Sequence, residues 1–593
     1  MNSIRKIIPF IRKYKWQILI AIFAMMVLSL TELLLPRQIQ TIIDNGIANS
    51  DLSVVLRSSL LMIGLALISM VLAFVNTFLS MRVSESFAAD LRNEVFSHLQ
   101  TFSFANLDHL QTSDLLVRLT SDINIVKMSL MMTMRIVFRA PLMLVGSLIM
   151  LVITSPRLAV ILLVLLPLTL LLIWLFSSKA RPLFKTVQER LEKVNTVLHE
   201  NIAGVRLVRA FVRSDHEQKR FAVRNEDLTE KATQVNRLLA FLMPTMILLL
   251  NLGIAGLLWF GGNLVITGTI TTGQIVAFSN YLLMTMFPIL LLAMILPQYY
   301  AATASIDRVV EVLETQATLV YPEVSAGEIG QGRVVFENVS LDYDGEDGEH
   351  APVLQNISFA ANPGERVAIL GATGSGKTSL VNLIPRLYDP TEGRVLIDGV
   401  DVRQFSQAAL RRNVAVALQN AVLFSGTVAD NIRFGRPDAT DEDVILAARA
   451  AQAHDFILSK EGGYQSGVDQ GGANFSGGQK QRLAIAQALC VSPKVLILDD
   501  STSAVDVETE AEIQAALENL MQSCTSFIVA QRISTVLRAD KIIVLENGRI
   551  AAEGTHAELI ETSPIYQAIY HSQLGNGLVD TSSGKSQVEV KNA

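Results

Sequence analysis

Val367–Ser379 reads VAILGATGSGKTS, and this stretch decides the fold of the C-terminal half. VAIL is an apolar run of strand length, a glycine-rich turn follows at once, and a helical pattern begins at Ser379. In that strand–turn–helix setting, Gly371, Gly374 and Gly376, with Ala372, Thr373 and Ser375 between them, let backbone N–H groups wrap a chain of phosphates. The start of the helix, at Thr378 and Ser379, adds the positive end of its dipole. Lys377 is spaced to reach the β- and γ-phosphates, and Thr378 to hold Mg2+.

Working outward, the chain from Arg333 alternates strand-like runs, glycine turns and helical patterns, the signature of an α/β domain. A second buried run, VLIL (Val495–Leu498), ends in Asp499. A carboxylate at the C-terminal end of such a strand binds Mg2+ beside a phosphate loop. Between the two lies NFSGGQKQR (Asn474–Arg482), ahead of a helical stretch. Alone, it reads as a glycine turn opening an ordinary helix. Asn338, Asn356 and Asn474 fit the N-glycosylation pattern, which matters only outside the cell, and this half reads as cytosolic. Cys490 and Cys524 are the only cysteines, too few for a disulfide framework or a metal cluster, and read as reduced and buried.

The first half has a different character. Of the 593 residues, 50% are hydrophobic, and the mean hydropathy of +0.39 calls for membrane spans. A net charge of −6 argues against a nucleic-acid partner. Stretches of about 20 apolar residues, enough to cross a bilayer as helix, occur at Trp16–Ile39, Leu56–Met81, Met132–Ile153, Arg157–Phe176, Leu238–Val265 and Gln274–Leu296. Arg5, Lys6, Arg12, Lys13 and Lys15 precede the first, while the loop after it carries Asp44 and Asp51 and no cation before Arg57. The positive-inside rule therefore puts the N-terminus inside, and six crossings return the chain to the cytosol. The connections between spans two and three and between four and five run to roughly 50–60 residues, long for structureless loops. Both are rich in charge and helix formers, so the spans are expected to continue as helices into the cytosol; separate helical insertions are the alternative.

FSGGQ, GATGSGKT, ILDD and the Gln of AVALQN together resemble the ABC ATPases, with FSGGQ the most discriminating. Six spans ahead of such a domain resemble the ABC exporter half-transporters of the multidrug type, over nearly the whole chain to Leu574. The resemblance implies a membrane all-α domain over 1–310, a linker over 311–332, an α/β ATPase over 333–574 and a polar tail over 575–593. It implies ATP and Mg2+ as ligands, with Tyr343 stacking on adenine and Gln419 joining Thr378 and Asp499 at the metal. It also implies that Ser476, Gly477, Gly478 and Gln479 bind the γ-phosphate of an ATP held by a second half-transporter, and that Ser503–Asp506 cross the dimer interface. Segments near Asn106–Asp114 and Glu200–Ala210 look like the two coupling helices.

Two positions break the family pattern. The catalytic base that follows the Mg2+ aspartate is normally Glu and here is Asp500; the switch histidine is normally His and here is Gln531. Asp and Glu have nearly equal basicity, but Asp is shorter by about 1.5 Å, and a base must stand within hydrogen-bond range of its water. Losing such assistance typically costs about 10²–10⁴ in rate. Two changes in one pocket beside an intact signature resemble the degenerate-site subunit of bacterial heterodimeric multidrug exporters. The expected function is ATP-driven export of hydrophobic or amphipathic compounds across the cell membrane. The alternatives are a homodimeric lipid or peptide exporter using Asp500 as base, and an ATP-binding regulator that moves nothing. Within the spans, Glu32 is an intramembrane carboxylate, read either as an attractor of cationic substrates or as a partner for a neighbouring helix. Arg135 and Arg139 read as snorkelling towards the cytosolic interface. The three methionines of span six suit varied apolar ligands, or plain helix packing.

Overall fold

The computed structural model describes residues 2–110, 112–343, 352–500, 509, 512–513, 515–516, 524–530 and 533–574. The chain forms two compact units, Met1–Gln100 with Thr112–Thr315, and Thr101–Gln111 with Gln316–Ala593.

In the first unit a short helix, Asn2–Arg12, precedes the spans. Among the described residues, five helices are long and apolar enough to cross a membrane: Lys15–Ile47, Leu52–Leu99, Thr112–Thr154, Leu158–Ala203 and Ser214–Ile266. The sixth expected span falls inside the helix Thr272–Glu314, through the apolar run YLLMTMFPILLLAMIL that begins at Tyr281. Leu52–Leu99 has 48 residues, about 72 Å of helix at about 1.5 Å per residue, more than twice the roughly 30 Å of a hydrocarbon core. The long connections are thus continuations of the spans, as expected, joined by the short helices Phe104–His109 and Val205–Ala210.

Lipid gives helices no hydrophobic reason to associate, so close backbone approach and interhelical hydrogen bonds hold them. At Gly146 an added Cβ would lie 2.4 Å from Leu33 Cδ1, so glycine lets the Leu33 side chain pack directly against this helix, and any larger residue would make that side chain shift. Tyr281 Oη donates to Leu33 O at 2.7 Å, and Thr285 Oγ1 to Ser147 Oγ at 2.8 Å, both buried. At the end remote from Lys15, Asp44 accepts from Thr271 Oγ1 at 2.5 Å and from Gly273 N at 2.8 Å, and Gln274 Nε2 donates to Thr154 O at 2.9 Å.

One expectation is corrected here. Arg139 does not snorkel: its Nη2 lies 2.8 and 2.7 Å from the two carboxylate oxygens of Glu32. In a low-dielectric setting the nearest opposite charge outcompetes a distant interface. Of the two readings of Glu32, the bond to a neighbouring helix is the one observed.

The second unit is built on a six-stranded sheet in the order Arg549–Gly554, Lys541–Glu546, Arg366–Gly371, Thr525–Val529, Val495–Asp499 and Val414–Ala417. All neighbours are parallel except the first pair. Alternate residues feed two cores: Ala368, Leu370, Leu496, Leu498 and Ile528 on one face, Val367, Ile369, Val495, Ile497 and Phe527 on the other. Strands covered on both faces must be apolar throughout, which is why VAIL and VLIL carry no polar alternation. A four-stranded antiparallel sheet, in the order Leu354–Ala361, Val334–Leu341, Glu392–Ile397 and Val400–Asp401, closes the second core. Both cysteines are buried and unpaired, and burial pushes the Cys524 thiol up to about 11.

Candidate nucleotide site

Parallel strands deliver their C-terminal ends to one edge, where open α/β sheets bind ligands. Gly371 and Asp499 end adjacent-but-one strands, with Thr525–Val529 between them pairing Val529 to both Ile369 and Asp499. The turn after Gly371 enters the helix Lys377–Asn382 through Gly376, whose φ is +96°. A Cβ there would lie 2.8 Å from Leu354 Cδ2 and 3.0 Å from Val353 O, so glycine is required on both conformational and steric grounds.

The resulting cavity, ≈220 Å³, is lined by Thr373, Gly374, Gly376, Lys377, Thr378, Ser379, Gln419, Asp499 and Asp500, together with Val353 and Val529. The phosphate loop, Gln419, Asp499 and Asp500 therefore converge on one place. Lys377 is buried, 7% exposed, and its Nζ donates to Gly371 O at 2.9 Å and Ala372 O at 2.8 Å. Burial lowers its ammonium pKa, against the opposing pull of Asp500 and Asp499. Ser375 Oγ is buried with no hydrogen-bond partner. Thr378 Oγ1 donates to Asp499 Oδ1 at 3.1 Å, and Gln419 Nε2 to Asp500 Oδ2 at 3.3 Å. Asp500 has φ +46°, a left-handed conformation that Asp tolerates better than Glu or most other residues.

The donor set fits a nucleotide with a divalent cation. An ammonium and an unpartnered hydroxyl offer positive and donor groups to phosphate, while two adjacent carboxylates want a cation. Burial, and after it the neighbouring Asp500, hold the Asp499 carboxyl above the usual carboxylate range despite the Thr378 hydrogen bond. Among the described residues no group of three His, Cys, Asp or Glu could hold a metal alone, so a cation here would share its shell with phosphate oxygens and water.

A stability prediction follows from Asp499. An acid whose folded pKa is raised costs the fold stability once pH exceeds the raised value, and costs nothing below the unfolded value. Asp499→Asn should therefore raise the melting temperature of the nucleotide-free protein at pH 8, by on the order of 1 kcal/mol or about 2–4 °C. Differential scanning fluorimetry in EDTA reads this directly; a lower melting temperature would show that the Thr378 hydrogen bond outweighs the burial cost.

Tyr343 stands beside this cavity. Its Oη donates to Ser379 Oγ at 2.9 Å, and its ring meets that of Tyr388 edge-on at 4.9 Å. The Tyr388 hydroxyl in turn donates to Asp108 Oδ2 at 2.6 Å, in the short helix Phe104–His109 that packs within the second unit. Tyr388, Val353 and Val529 carried no motif signal in the sequence; only the fold brings them here.

Ser476, Gly477, Gly478 and Gln479 are not brought to the cavity. They form the start of the helix Gly477–Cys490 as a capping box: Ser476 Oγ accepts from Gln479 N at 3.3 Å, and Gln479 Oε1 from Ser476 N at 3.1 Å. Ser476 and Gly477 are exposed. Gln531, Ser503–Asp506 and the tail 575–593 lie outside the described residues.

Comparison with known proteins identifies the family and the fold. Residues 18–289 match the family described as ABC transporter transmembrane region, and residues 354–503 the family described as ABC transporter. The chain is similar to the "Uncharacterized ABC transporter ATP-binding protein YfiB" of Bacillus subtilis, 39% identical over 579 residues, covering 96% of this chain and 99% of that one. It is 33% identical to a putative multidrug export ATP-binding/permease protein of Staphylococcus aureus, covering 96% and 100% of the two chains. It is 32% identical to an ATP-dependent lipid A-core flippase of Desulfotalea psychrophila, covering 94% and 97%. A solved structure of a bacterial Atm1-family ABC exporter with ATP bound superposes with a TM-score of 0.74 at 24% identity, covering 98% and 99%, which supports the fold. Both halves are matched in order, with full-length relatives at 32–39% identity, and the chain belongs to the ABC transporter family as an exporter half-transporter, a membrane unit fused to its own ATPase.

Proposed function

We propose that this chain is one subunit of a heterodimeric exporter of hydrophobic or amphipathic compounds, placed in the cell membrane with its N-terminus and ATPase domain in the cytoplasm. Its domains are taken as 1–310, 311–332, 333–574 and 575–593. As an ABC transporter ATPase it couples ATP hydrolysis to transport. The observation that carries the heterodimer reading is the combination of Asp500 and Gln531 with an intact Ser476–Gln479 that does not line this chain's own cavity.

In this reading Gly371–Ser379 cradle the phosphates, Lys377 neutralises the β- and γ-phosphates, and Tyr343 stacks on adenine. Thr378, Gln419 and Asp499 would hold Mg2+, which supplies charge neutralisation at the phosphate oxygens. Asp500 is a short-reaching base, and Gln531 a phosphate-facing group without a positive charge. Ser476–Gln479 complete the other ATP site, whose P-loop belongs to the second subunit.

The test is composition. Tagged at its C-terminus and purified from its native membrane, the chain should bring down a second ABC half-transporter in equal amount, one with Glu and His at the positions matching Asp500 and Gln531. Recovery of this chain alone as a dimer would sink the heterodimer reading and favour a homodimer running on Asp500.

A further inference from the structure

Within the membrane unit, two cavities adjoin the Glu32–Arg139 pair. One, ≈320 Å³, is lined by Glu32, Arg135, Arg139, Met143, Met284 and Phe287 among others; the second, ≈300 Å³, shares Arg135, Ile136 and Arg139 and adds Met25, Asn76 and Met131. Their depth follows from helix geometry. Arg139 stands fifteen residues before Thr154, whose carbonyl marks the end remote from the cytosol, or about 22 Å. Glu32 stands twelve residues before Asp44, about 18 Å. Both are well inside a hydrocarbon core of roughly 30 Å.

The charges lining these cavities are Glu32, Arg135 and Arg139. Glu32 is spent: both its oxygens engage Arg139 Nη2. Arg135, one turn away and on the wall of both cavities, has no hydrogen bond or ion pair to any described residue. Arg135 stands nineteen residues before Thr154, about 28 Å, at the cytosolic edge of the core where these cavities would admit an amphiphile's head, and the charges on the two walls sum to one guanidinium without a partner among the described residues. A guanidinium offers a planar fork of N–H donors that matches carboxylate, sulfonate and phosphate oxygens. Around it the walls are thioether, aromatic and aliphatic, adaptable surfaces for an apolar body.

The geometry points to a substrate site for amphipathic anions, with Arg135 binding the acidic head and the Glu32–Arg139 pair setting the charge balance of the pocket. This names a substrate class for the exporter reading above and rests on it. It reverses the expectation drawn from Glu32 alone, since the carboxylate that would draw cations is neutralised by its own neighbour. An anionic lipid and a non-lipid amphiphile share this head-group chemistry.

The complex, as purified with whatever subunit accompanies it, is reconstituted inside-out in phosphatidylcholine vesicles and offered three probes with one apolar body: pyrenebutyl sulfonate, pyrenebutanol and pyrenebutyl trimethylammonium. Fluorescence titration reads binding, and ATP-dependent uptake reads export. Arg135→Gln should weaken sulfonate binding about tenfold and leave pyrenebutanol unchanged, while Arg135→Lys recovers part of the loss. Glu32→Gln, which frees Arg139, should tighten sulfonate binding. Equal loss of sulfonate and alcohol in Arg135→Gln, or tighter trimethylammonium than sulfonate binding in the unaltered complex, overturns the anion site while pyrenebutanol uptake still supports the exporter reading. Arg135-dependent sulfonate binding with no uptake of any probe does the reverse. Adding phosphatidylglycerol separates the sources: competition assigns the site to anionic lipid, and unchanged sulfonate binding to a non-lipid amphiphile.

Discussion

Arginine in place of Ser476 lowers steady-state ATP hydrolysis by the purified complex about 10²–10³-fold, whereas Asp500→Asn leaves most of the turnover intact. The first figure is the usual worth of preorganised donors aimed at developing charge. Ser476 sits at the N-cap of Gly477–Cys490 with φ −69° and ψ 162°, locked by reciprocal bonds with Gln479. Its lone pair takes the Gln479 N–H, which leaves its own O–H to donate outward. The first-turn N–H groups of a helix have no intrahelical acceptor, so Gly477 and Gly478 add theirs in the same direction. In the proposed dimer an arginine side chain would stand where the second subunit's γ-phosphate is expected, and it would also lose the cap. The cap alone is worth only about 1 kcal/mol, so Ser476→Ala, which loses the cap and the hydroxyl donor but puts neither bulk nor charge in the phosphate's place and keeps the Gly477 and Gly478 N–H groups, should cost less than Ser476→Arg.

The second half of the forecast concerns reach. Asp500 is one methylene short of the usual base, and its carboxylate is engaged by Gln419 Nε2 at 3.3 Å. If this side of the site is already slow, removing its charge costs the complex little. Both variants are compared at saturating Mg-ATP on equal amounts of assembled complex. Should Asp500→Asn stop hydrolysis as fully as Ser476→Arg, the two sites are equivalent, and the chain is better described as a homodimer with aspartate as its base.

The nucleotide site was legible because its signals are local. Strand, turn and helix are contiguous at Val367–Ser379, and Asp499 ends a run that only a strand buried on both faces explains. Five of the six expected spans were legible because lipid imposes a length and a composition on every crossing, and each lies in a helix long and apolar enough to cross. Depth and partnership were not. Arg139 reads as near an interface when the span is taken to begin at Met132, but the helix begins at Thr112, so its charge lies far along a continuous helix. Its partner Glu32 is 107 residues away in sequence, with nothing in either segment to announce the other. The Tyr388–Asp108 hydrogen bond, across 280 residues, is invisible for the same reason. Side-chain pairing between distant elements depends on register, and a sequence pattern fixes the face of a helix more readily than its register against a neighbour.

Lys377→Ala weakens ATP binding at this chain's own site by roughly 10²-fold, the upper range for a charge-assisted hydrogen bond, without unfolding the domain. Lys377 Nζ lies within 2.9 Å of two carbonyls of the phosphate loop, and it is the cation of a cavity that also holds Asp499 and Asp500. Alanine leaves those carbonyls without their donor and the two carboxylates without a counter-charge, so phosphate would enter a cavity of net negative charge. Some loss of stability accompanies this, about 1–3 kcal/mol for unsatisfied buried groups, and it acts on the fold rather than on the ligand. Lys377→Met keeps the length and removes the charge. If charge is what matters, Met and Ala behave alike towards ATP while Met melts higher. Photolabelling with 8-azido-ATP, followed by peptide mapping of each subunit, reports occupancy of this site separately from its partner. Labelling of this chain at unaltered affinity in both variants would mean that the loop at Gly371–Thr378 does not hold the phosphates, and the nucleotide site would have to be sought elsewhere.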